Sequence, residues 1–354
     1  MERFIQFHIL THYPPSNPNR DDLGQPKSAI VGGTRRQRIS SQAIKRAVRE
    51  SDAFSRALTG GIGDRTQRLG REIAAHLRMK GEADEAKITE IAREIAGIFG
   101  KIKSDKSSLD IEQLAFISPD ERKKALELAE KRLAGETLPK EKELASMALQ
   151  GADGAVDIAM FGRMLADNPA FNRDAAVQVS HAITANKVSN EIDYYTAVDD
   201  LKERAEDAGA GFVGEAGFGS GVYYIHVCVH TAQLVDNLDG DRELAARGIE
   251  ALTRALALAT PSGKRNSYSH DVRAEYMLVE RGDGQPINLF SAFAEPVSAA
   301  GLMGECVRKL EKKRDDFAKA YGAWWSGEPK RLYVGDTSGV SLDDLARYAA
   351  DGLR

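Results

Sequence analysis

Two stretches of alternating sequence, far apart in the chain, limit what it can fold into. Phe4–Leu10 and Val222–His230 each place apolar residues at every second position, the pattern of half-buried β-strands. Between them lies a run of amphipathic segments with helical spacing, separated by Gly and Pro. A sheet with a helical interruption predicts an α+β protein. The four interrupting helices are predicted at Asp64–Met79, Glu85–Phe99, Asp120–Leu133 and Lys140–Leu149.

The remaining elements are predicted from the same two periodicities. The prolines of Tyr13–Asn19 should end the first strand, and Ala175–Thr184 fits a helix or a strand equally well. No repeat of fixed period is visible. The further predictions are helices at Asp199–Ala208, Asp241–Ala259, Pro286–Leu310 and Ser341–Leu353, and a strand at Val272–Val279.

Cysteine content and hydropathy limit the class of protein. The only two cysteines, Cys228 and Cys306, lie far apart, which excludes a disulfide framework and favours a reducing cytoplasm. No apolar run approaches the length of a membrane span, and residues 1–4 lack a signal-peptide pattern. We therefore expect a cytoplasmic protein with no membrane partner.

Positive charge is concentrated between Arg20 and Arg49. This segment holds eight Lys and Arg against two Asp, although the whole protein has a net charge of −4. Such a cluster on an acidic molecule predicts one localised polyanionic partner. Lysines and arginines often only solvate a helix face, and an acidic protein surface or a small phosphorylated ligand stays possible. The clustering favours a nucleic-acid backbone.

The segment ends in a predicted helix that starts at two serines. Ser40 or Ser41 should cap it, and the free N–H groups at its start suit a phosphate. Ile44 and Val48 would be buried, while Lys45 and Arg49, one turn apart, would lie on another face. The helix should therefore bury one side and show cations on the other.

Other motifs point to no chemistry. Gly209–Gly214 matches GxGxxG, but a dinucleotide site needs a strand before it and a helix after it, and a charged helical pattern precedes this one. His226 and His230 are separated by about 13 Å along a strand, too far to share a metal. His8 and His12 lack a carboxylate pattern. Neither an enzyme nor a metal or other cofactor is expected.

Several motifs closely resemble the CasC family, which supplies the backbone subunit of the type I-E CRISPR complex Cascade. They occur in the family's order, and the two blocks that contain them, residues 4–49 and 156–224, together cover about a third of the chain. In the first block they are Asn19–Asp22, Gly32–Gly33, Arg38–Gln42 and Lys45–Arg46. In the second block they are Val156–Ala159, Gly162–Met164, Ser180–Thr184, Asp193–Asp200 and Phe218–Tyr224.

The resemblance implies a hand-shaped protein. Residues 1–55, 156–185 and 216–354 would form an RRM-like (ferredoxin-like) palm, residues 56–155 helical fingers, and residues 186–215 a projecting thumb hairpin. The glycine-rich run after the thumb would act as a hinge. Several copies would assemble along one CRISPR RNA with other Cascade subunits and present the guide to complementary target DNA.

The resemblance also implies roles for individual residues. Met164 and Tyr195 would form an apolar wedge that unstacks and kinks the guide without identifying its bases. Lys264 and Arg265 are further candidates for phosphate contacts. The guide phosphates would be held by Arg20, Lys27, Ser40, Gln42, Lys45 and Arg49. Two alternatives stay open: a CRISPR-associated nuclease on a similar palm, and a scaffold without direct RNA contact.

Overall fold

The computed structural model describes residues 2–105, 107–149, 154–197, 212–298, 300–337 and 339–353 of the 354-residue chain. These residues form an α+β structure, as predicted. The strands are β1 (Phe4–Ser16), β2 (Ser28–Val31), β3 (Thr34–Ile39), β4 (Asp64–Thr66), β5 (Ala115–Ile117), β6 (Val177–Val179), β7 (Ala182–Thr184), β8 (Glu191–Ala197), β9 (Phe212–His230), β10 (Tyr276–Gly282) and β11 (Lys330–Tyr333).

The α-helices lie on both sides of the main sheet and in the interruption. They are α1 (Ser41–Glu50), α2 (Asp52–Ser55), α3 (Leu69–Met79), α4 (Glu85–Ala96), α5 (Pro119–Leu133), α6 (Glu141–Ala148), α7 (Val156–Phe161), α8 (Thr231–Asn237), α9 (Arg242–Leu258), α10 (Arg265–Tyr268), α11 (Leu302–Tyr321) and α12 (Leu342–Asp351). Short 3₁₀ helices occur at Gly97–Phe99, Pro169–Phe171 and Leu289–Phe293. No helix in the described ranges is both long and apolar enough to cross a bilayer.

The main sheet is built around β1 and β9, the two alternating stretches of the sequence. Its order is β11-β10-β1-β9-β7-β3-β2, with β6 and β8 also paired to β9, and every pairing is antiparallel. Phe7 lies opposite Val227 on one side and Val279 on the other. The predicted end of β1 at Tyr13 is wrong, because the strand continues to Ser16 through a register shift that accommodates the prolines.

Both faces of this sheet are covered. Ile5, Phe7 and Val227 belong to a core that includes residues of α1, α9 and α12. The side chains of opposite parity, such as Tyr224, lie in a second core with the 3₁₀ helix Leu289–Phe293 and α11. A ligand therefore has no access to the sheet face where these elements cover it, and the helices and loops around the sheet carry the accessible groups.

The interruption has a separate hydrophobic core, formed by α3, α4, α5 and α6. All four predicted helices are present, but the first starts at Leu69 because β4 precedes it. Neither β4 nor its partner β5 was predicted, because three-residue strands are too short to show an alternating pattern. The small β4–β5 sheet carries Arg65 and Phe116, which lie at the candidate site.

Predictions for the second half were partly correct. The ambiguous segment Ala175–Thr184 forms the two short strands β6 and β7, and β10 begins later than predicted, at Tyr276. The single helix predicted at Pro286–Leu310 is wrong, because a 3₁₀ helix comes first and α11 starts only after Gly301, which has a φ of 75°. Helices α9 and α12 are confirmed.

The described part of the glycine-rich run, from Gly214 to Gly221, belongs to the continuous strand β9. The predicted helix Asp199–Ala208 and the first glycines of GxGxxG lie outside the described residues, and the motif continues into β9, not into a helix. A Cβ at Gly219, inside β9, would lie 2.2 Å from Nε2 of Gln37. Close side-chain approach therefore requires glycine there, and the expected hinge stays a prediction.

A two-stranded ribbon extends from the sheet. β8 pairs with the first part of β9, from Phe212 to Phe218, and all seven residues of β8 are exposed. The ribbon presents Ile192, Tyr194 and Tyr195, which are 59%, 67% and 44% exposed.

Candidate nucleic-acid interface

The start of α1 is tied to the loop before it. The Ser40 hydroxyl accepts a hydrogen bond from the Ala43 N–H at 3.3 Å, which confirms the predicted cap. Asn19 accepts from the Ser40 N–H through Oδ1 and from the Lys27 N–H through its carbonyl, both at 2.9 Å. Asn19, which belongs to a family motif but was given no role, thereby brings Arg20, Lys27 and Ser40 to one end of the helix.

The N–H groups at the start of α1 are less available than predicted. Ala43 donates to Ser40, and the Ser41 N–H donates to Nδ1 of His181 at 3.2 Å. Burial, followed by the charge of Arg38, lowers the pKa of His181, which favours its neutral, accepting form. Gln42, one residue on, is exposed. At the start of α1, a partner would therefore meet the Gln42 side chain, because the N–H groups of Ser41 and Ala43 already have acceptors.

A groove of about 830 Å³ runs along one side of α1. Arg20 and Arg265 both line it, although they are far apart in the sequence. The Arg265 Nε lies 3.1 Å from Asp271, so its charge is partly compensated. Lys264 is exposed and has a left-handed φ of 55°. The structure thus brings two predicted phosphate contacts to the same groove.

Arg49 lies on a different side of α1 and is not the outward-facing cation that the spacing predicted. Its Nε donates to Oδ2 of Asp157 at 2.8 Å, and its Nη2 donates to the Gly63 carbonyl at 2.9 Å. Only 14% of the Arg49 side chain is exposed, and none of Asp157 is. Burial raises the pKa of Asp157, which the Gly63 N–H and Arg49 oppose.

Lys45 lies near this ion pair and has an unpredicted neighbour. Its amine is 5.6 Å from the centre of the Phe161 ring. Burial, and then the charge of Arg65, lower the pKa of Lys45. Arg65 is exposed on β4, with its guanidinium carbon 4.6 Å from the centre of the Phe116 ring. No sequence signal marked Arg65, because its segment was assigned to a helix.

Arg36 is a structural residue, although it belongs to the cationic cluster of the sequence. It is completely buried, and burial lowers its pKa. Its guanidinium donates to the carbonyls of Thr184 and Ala185, at 2.9 and 2.7 Å, and to Phe293 at 3.0 Å. Arg36 therefore satisfies carbonyl groups inside the protein and is not available to a partner.

The two predicted wedge residues are accessible and lie on separate elements. Met164 is 78% exposed and follows Arg163, whose buried ion pair with Glu121 at 2.6 Å fixes this part of the chain. Leu114, 65% exposed, lines a small cavity together with Met164. Tyr195 is on the β8–β9 ribbon. The exposed apolar surface at Met164 therefore also includes Leu114, which was not among the predicted wedge residues.

Two of the four histidines considered for catalysis or metal binding, His8 and His226, are buried in the sheet. His8 lies opposite His226 in the β1–β9 register, with 5.1 Å between the ring centres. Burial, with the charge of His8, lowers the pKa of His226 to about 3. Burial alone would raise the pKa of the Glu280 carboxyl. His8 and Arg314 outweigh burial and hold this pKa below the usual range. The residues described contain no group of three or more His, Cys, Asp or Glu that could hold a metal.

Nearly the whole chain matches a known protein family. Residues 5–338 match the model of the CT1975-like protein family. The chain belongs to this family. Curated proteins give no match.

Two solved structures are similar in fold to this family member. One is a chain of a "CRISPR RNA-guided surveillance complex, pre-nicking", with 26% identity and a TM-score of 0.85, covering 99% of this chain and 100% of that one. Another is a chain of a "CRISPR RNA-guided surveillance complex", with 23% identity and a TM-score of 0.59 over 97% of this chain and 92% of that one. The second supports the fold alone.

Proposed function

We propose that this protein is a non-enzymatic, multi-copy backbone subunit of a cytoplasmic CRISPR surveillance complex, of the CasC kind found in type I-E Cascade. The observation that carries the proposal is the end-to-end likeness to a chain of such a complex, with a TM-score of 0.85. Its role would be to bind CRISPR RNA along the phosphate backbone, kink it at intervals and present it to target DNA in antiviral defence.

The strand order supports an RRM-like palm. In the order β10-β1-β9-β7, with α1 and α9 packed against one face, the elements are arranged as in a ferredoxin-like unit. The helical core of α3–α6 would be the fingers, within residues 56–155, and the β8–β9 ribbon the thumb. Because both sheet faces are covered, the guide would run over the helices and loops and not across the sheet.

The accessible cations support contact with RNA phosphates. Arg20 and Lys27 come from the loop that Asn19 ties to α1, and Lys45 lies further along the same helix. Phosphate contacts position a guide without reading its sequence, which a subunit that serves any guide requires. Ser40, Gln42, Lys264 and Arg265 would be secondary contacts, and Arg49 would support the site through Asp157.

Co-expression with a CRISPR array tests the proposal. The full-length protein should co-purify with processed CRISPR RNA and other subunits, in several copies per guide, and crosslink to the guide at Lys45. Lys45→Glu should abolish this association, while Lys319→Glu, an equal charge change at an exposed lysine on α11, should not. Purification of the assembled complex without an RNA crosslink would favour the scaffold alternative.

The nuclease alternative needs its own test. The purified protein is incubated with precursor CRISPR RNA and a divalent metal, and the products are separated by length. We expect intact RNA. Cleavage that is lost in a His12→Ala variant would overturn the non-enzymatic assignment, since His12 is exposed whereas His8 is completely buried.

A further inference from the structure

Two arginines from different parts of the chain share one aromatic ring. The guanidinium carbons of Arg49, on α1, and Arg65, on β4, lie 4.5 and 4.6 Å from the centre of the Phe116 ring, on β5. Cation–π contact favours each arginine alone, but two like charges this close repel each other. The arrangement therefore needs negative charge nearby.

The described part of the chain supplies too little of it. Asp157 is committed to Arg49 at 2.8 Å, and Asp64, next to Arg65 in sequence, pairs instead with Arg122 at 2.8 Å. Neither Arg65 nor Lys45 has a carboxylate oxygen within 4.0 Å among the residues described. Asp157 compensates Arg49, and the charges of Arg65 and Lys45 then leave an excess of positive charge.

The electrostatics of the cluster agree with this count. Partial burial, and then the charge of Arg49, lower the pKa of Arg65, with Asp157 partly opposing. Arg65 in turn contributes to lowering the pKa of Lys45. The charged form of each group is thus disfavoured first by burial and then by a cationic neighbour, and an added anion would offset the repulsion.

We propose that Lys45 and Arg65 form a two-residue phosphate site for the guide RNA, built across α1 and the β4–β5 sheet, with Arg49 as its internal support. This inference rests on the proposed function. Arg65 supplies a guanidinium fork that stays charged and is oriented by Phe116, whereas Lys45 supplies a point charge. Because β4 belongs to the helical interruption, the site would join that unit to the helix that begins the cationic region.

The number of phosphates neutralised can be measured by salt dependence. The full-length protein is titrated with a single-stranded CRISPR RNA of repeat–spacer sequence at several salt concentrations. For single strands, log affinity falls with log salt by about 0.7 per phosphate neutralised. We expect Arg65→Gln to reduce the slope by about 0.7 per bound subunit, and Arg65→Lys to restore most of it, because the charge is kept.

Arg308→Gln is the matched control. Arg308 is an exposed arginine on α11, on the other side of the sheet, and its loss changes the net charge equally. For Arg308→Gln, the slope of log affinity against log salt should equal that of the unchanged protein. Thermal unfolding is measured first: since Arg65 is exposed and has no ion pair in the described residues, its variants should melt as the unchanged protein does. A clear fall in melting temperature would overturn the assignment by showing a structural role.

The remaining outcomes separate this inference from the function on which it rests. A steep slope for the unchanged protein with an equal slope for Arg65→Gln would overturn the Arg65 site alone. Absence of RNA binding by the unchanged protein in the assembled complex would overturn the proposed function.

Discussion

Arg49 and Asp157 form a buried ion pair, with 2.8 Å between Nε and Oδ2, that joins α1 to α7. Removing one partner of such a pair leaves an uncompensated buried charge, which costs about 3–5 kcal/mol. We therefore expect Arg49→Ala to lower the free energy of unfolding by about this amount. The double variant Arg49→Gln with Asp157→Asn should recover much of it, because both charges are removed.

Denaturant unfolding of the three proteins measures this coupling. The ion pair also limits how the RNA site can be tested. Arg49→Glu would place a second carboxylate against Asp157 and disrupt the fold. A combined Lys45→Glu and Arg49→Glu variant therefore cannot isolate a phosphate contact. Equal stability of Arg49→Ala and the unchanged protein would contradict the structural role of the pair.

The adjacent glycines Gly32 and Gly33 should differ in their tolerance of a side chain. Both have positive φ, 55° and 71°, which costs about 1–2 kcal/mol for alanine. A Cβ at Gly32 would also lie 2.5 Å from the Ala294 carbonyl oxygen, whereas Gly33 has no atom within 4 Å of that position. Gly32→Ala should therefore destabilise by about 2–4 kcal/mol and Gly33→Ala by about 1 kcal/mol. Equal losses in urea unfolding would show that the Ala294 contact does not matter.

His226 should make stability depend on pH. Its pKa is lowered to about 3 in the folded protein, so the unfolded chain binds the proton first when the pH falls below about 6.5. Stability from this group is thus present at neutral pH and is lost on acidification. Between pH 7 and pH 5 the protein should lose about 2 kcal/mol more than a His226→Gln variant. Parallel pH profiles of the two proteins would contradict the buried, neutral state of His226.

Met164 should affect RNA conformation without affecting stability. It is 78% exposed, so Met164→Ala should change the free energy of unfolding by less than about 0.5 kcal/mol. If it forms the proposed wedge with Tyr195, the variant should reduce the fluorescence of 2-aminopurine placed at the displaced guide positions, because the base restacks. Met79→Ala, at an 80% exposed methionine on α3, is the control. Unchanged fluorescence in both Met164→Ala and Tyr195→Ala would refute the wedge.

Local pattern was sufficient for most elements of the fold. Alternation identified β1 and β9, and helical spacing located α3–α6, because side-chain periodicity follows directly from backbone geometry. The Ser40 cap was likewise predictable, since a cap involves residues close in sequence. Short strands such as β4 and β5 were missed, because their stability comes from pairing across the chain.

The sequence by itself determined where positive charge is concentrated, but the tertiary structure decided what each charge does. Arg36 is buried against carbonyl groups, Arg49 is paired with Asp157, and Lys45 meets Arg65 beside the β4–β5 sheet. For Arg36 and Arg49, burial and partnership depend on residues more than a hundred positions away, and no local periodicity encodes them. Within the cluster of cations between Arg20 and Arg49, Arg36 is therefore a buried anchor, Arg49 belongs to an internal ion pair, and Lys45 lacks a carboxylate partner in the described residues.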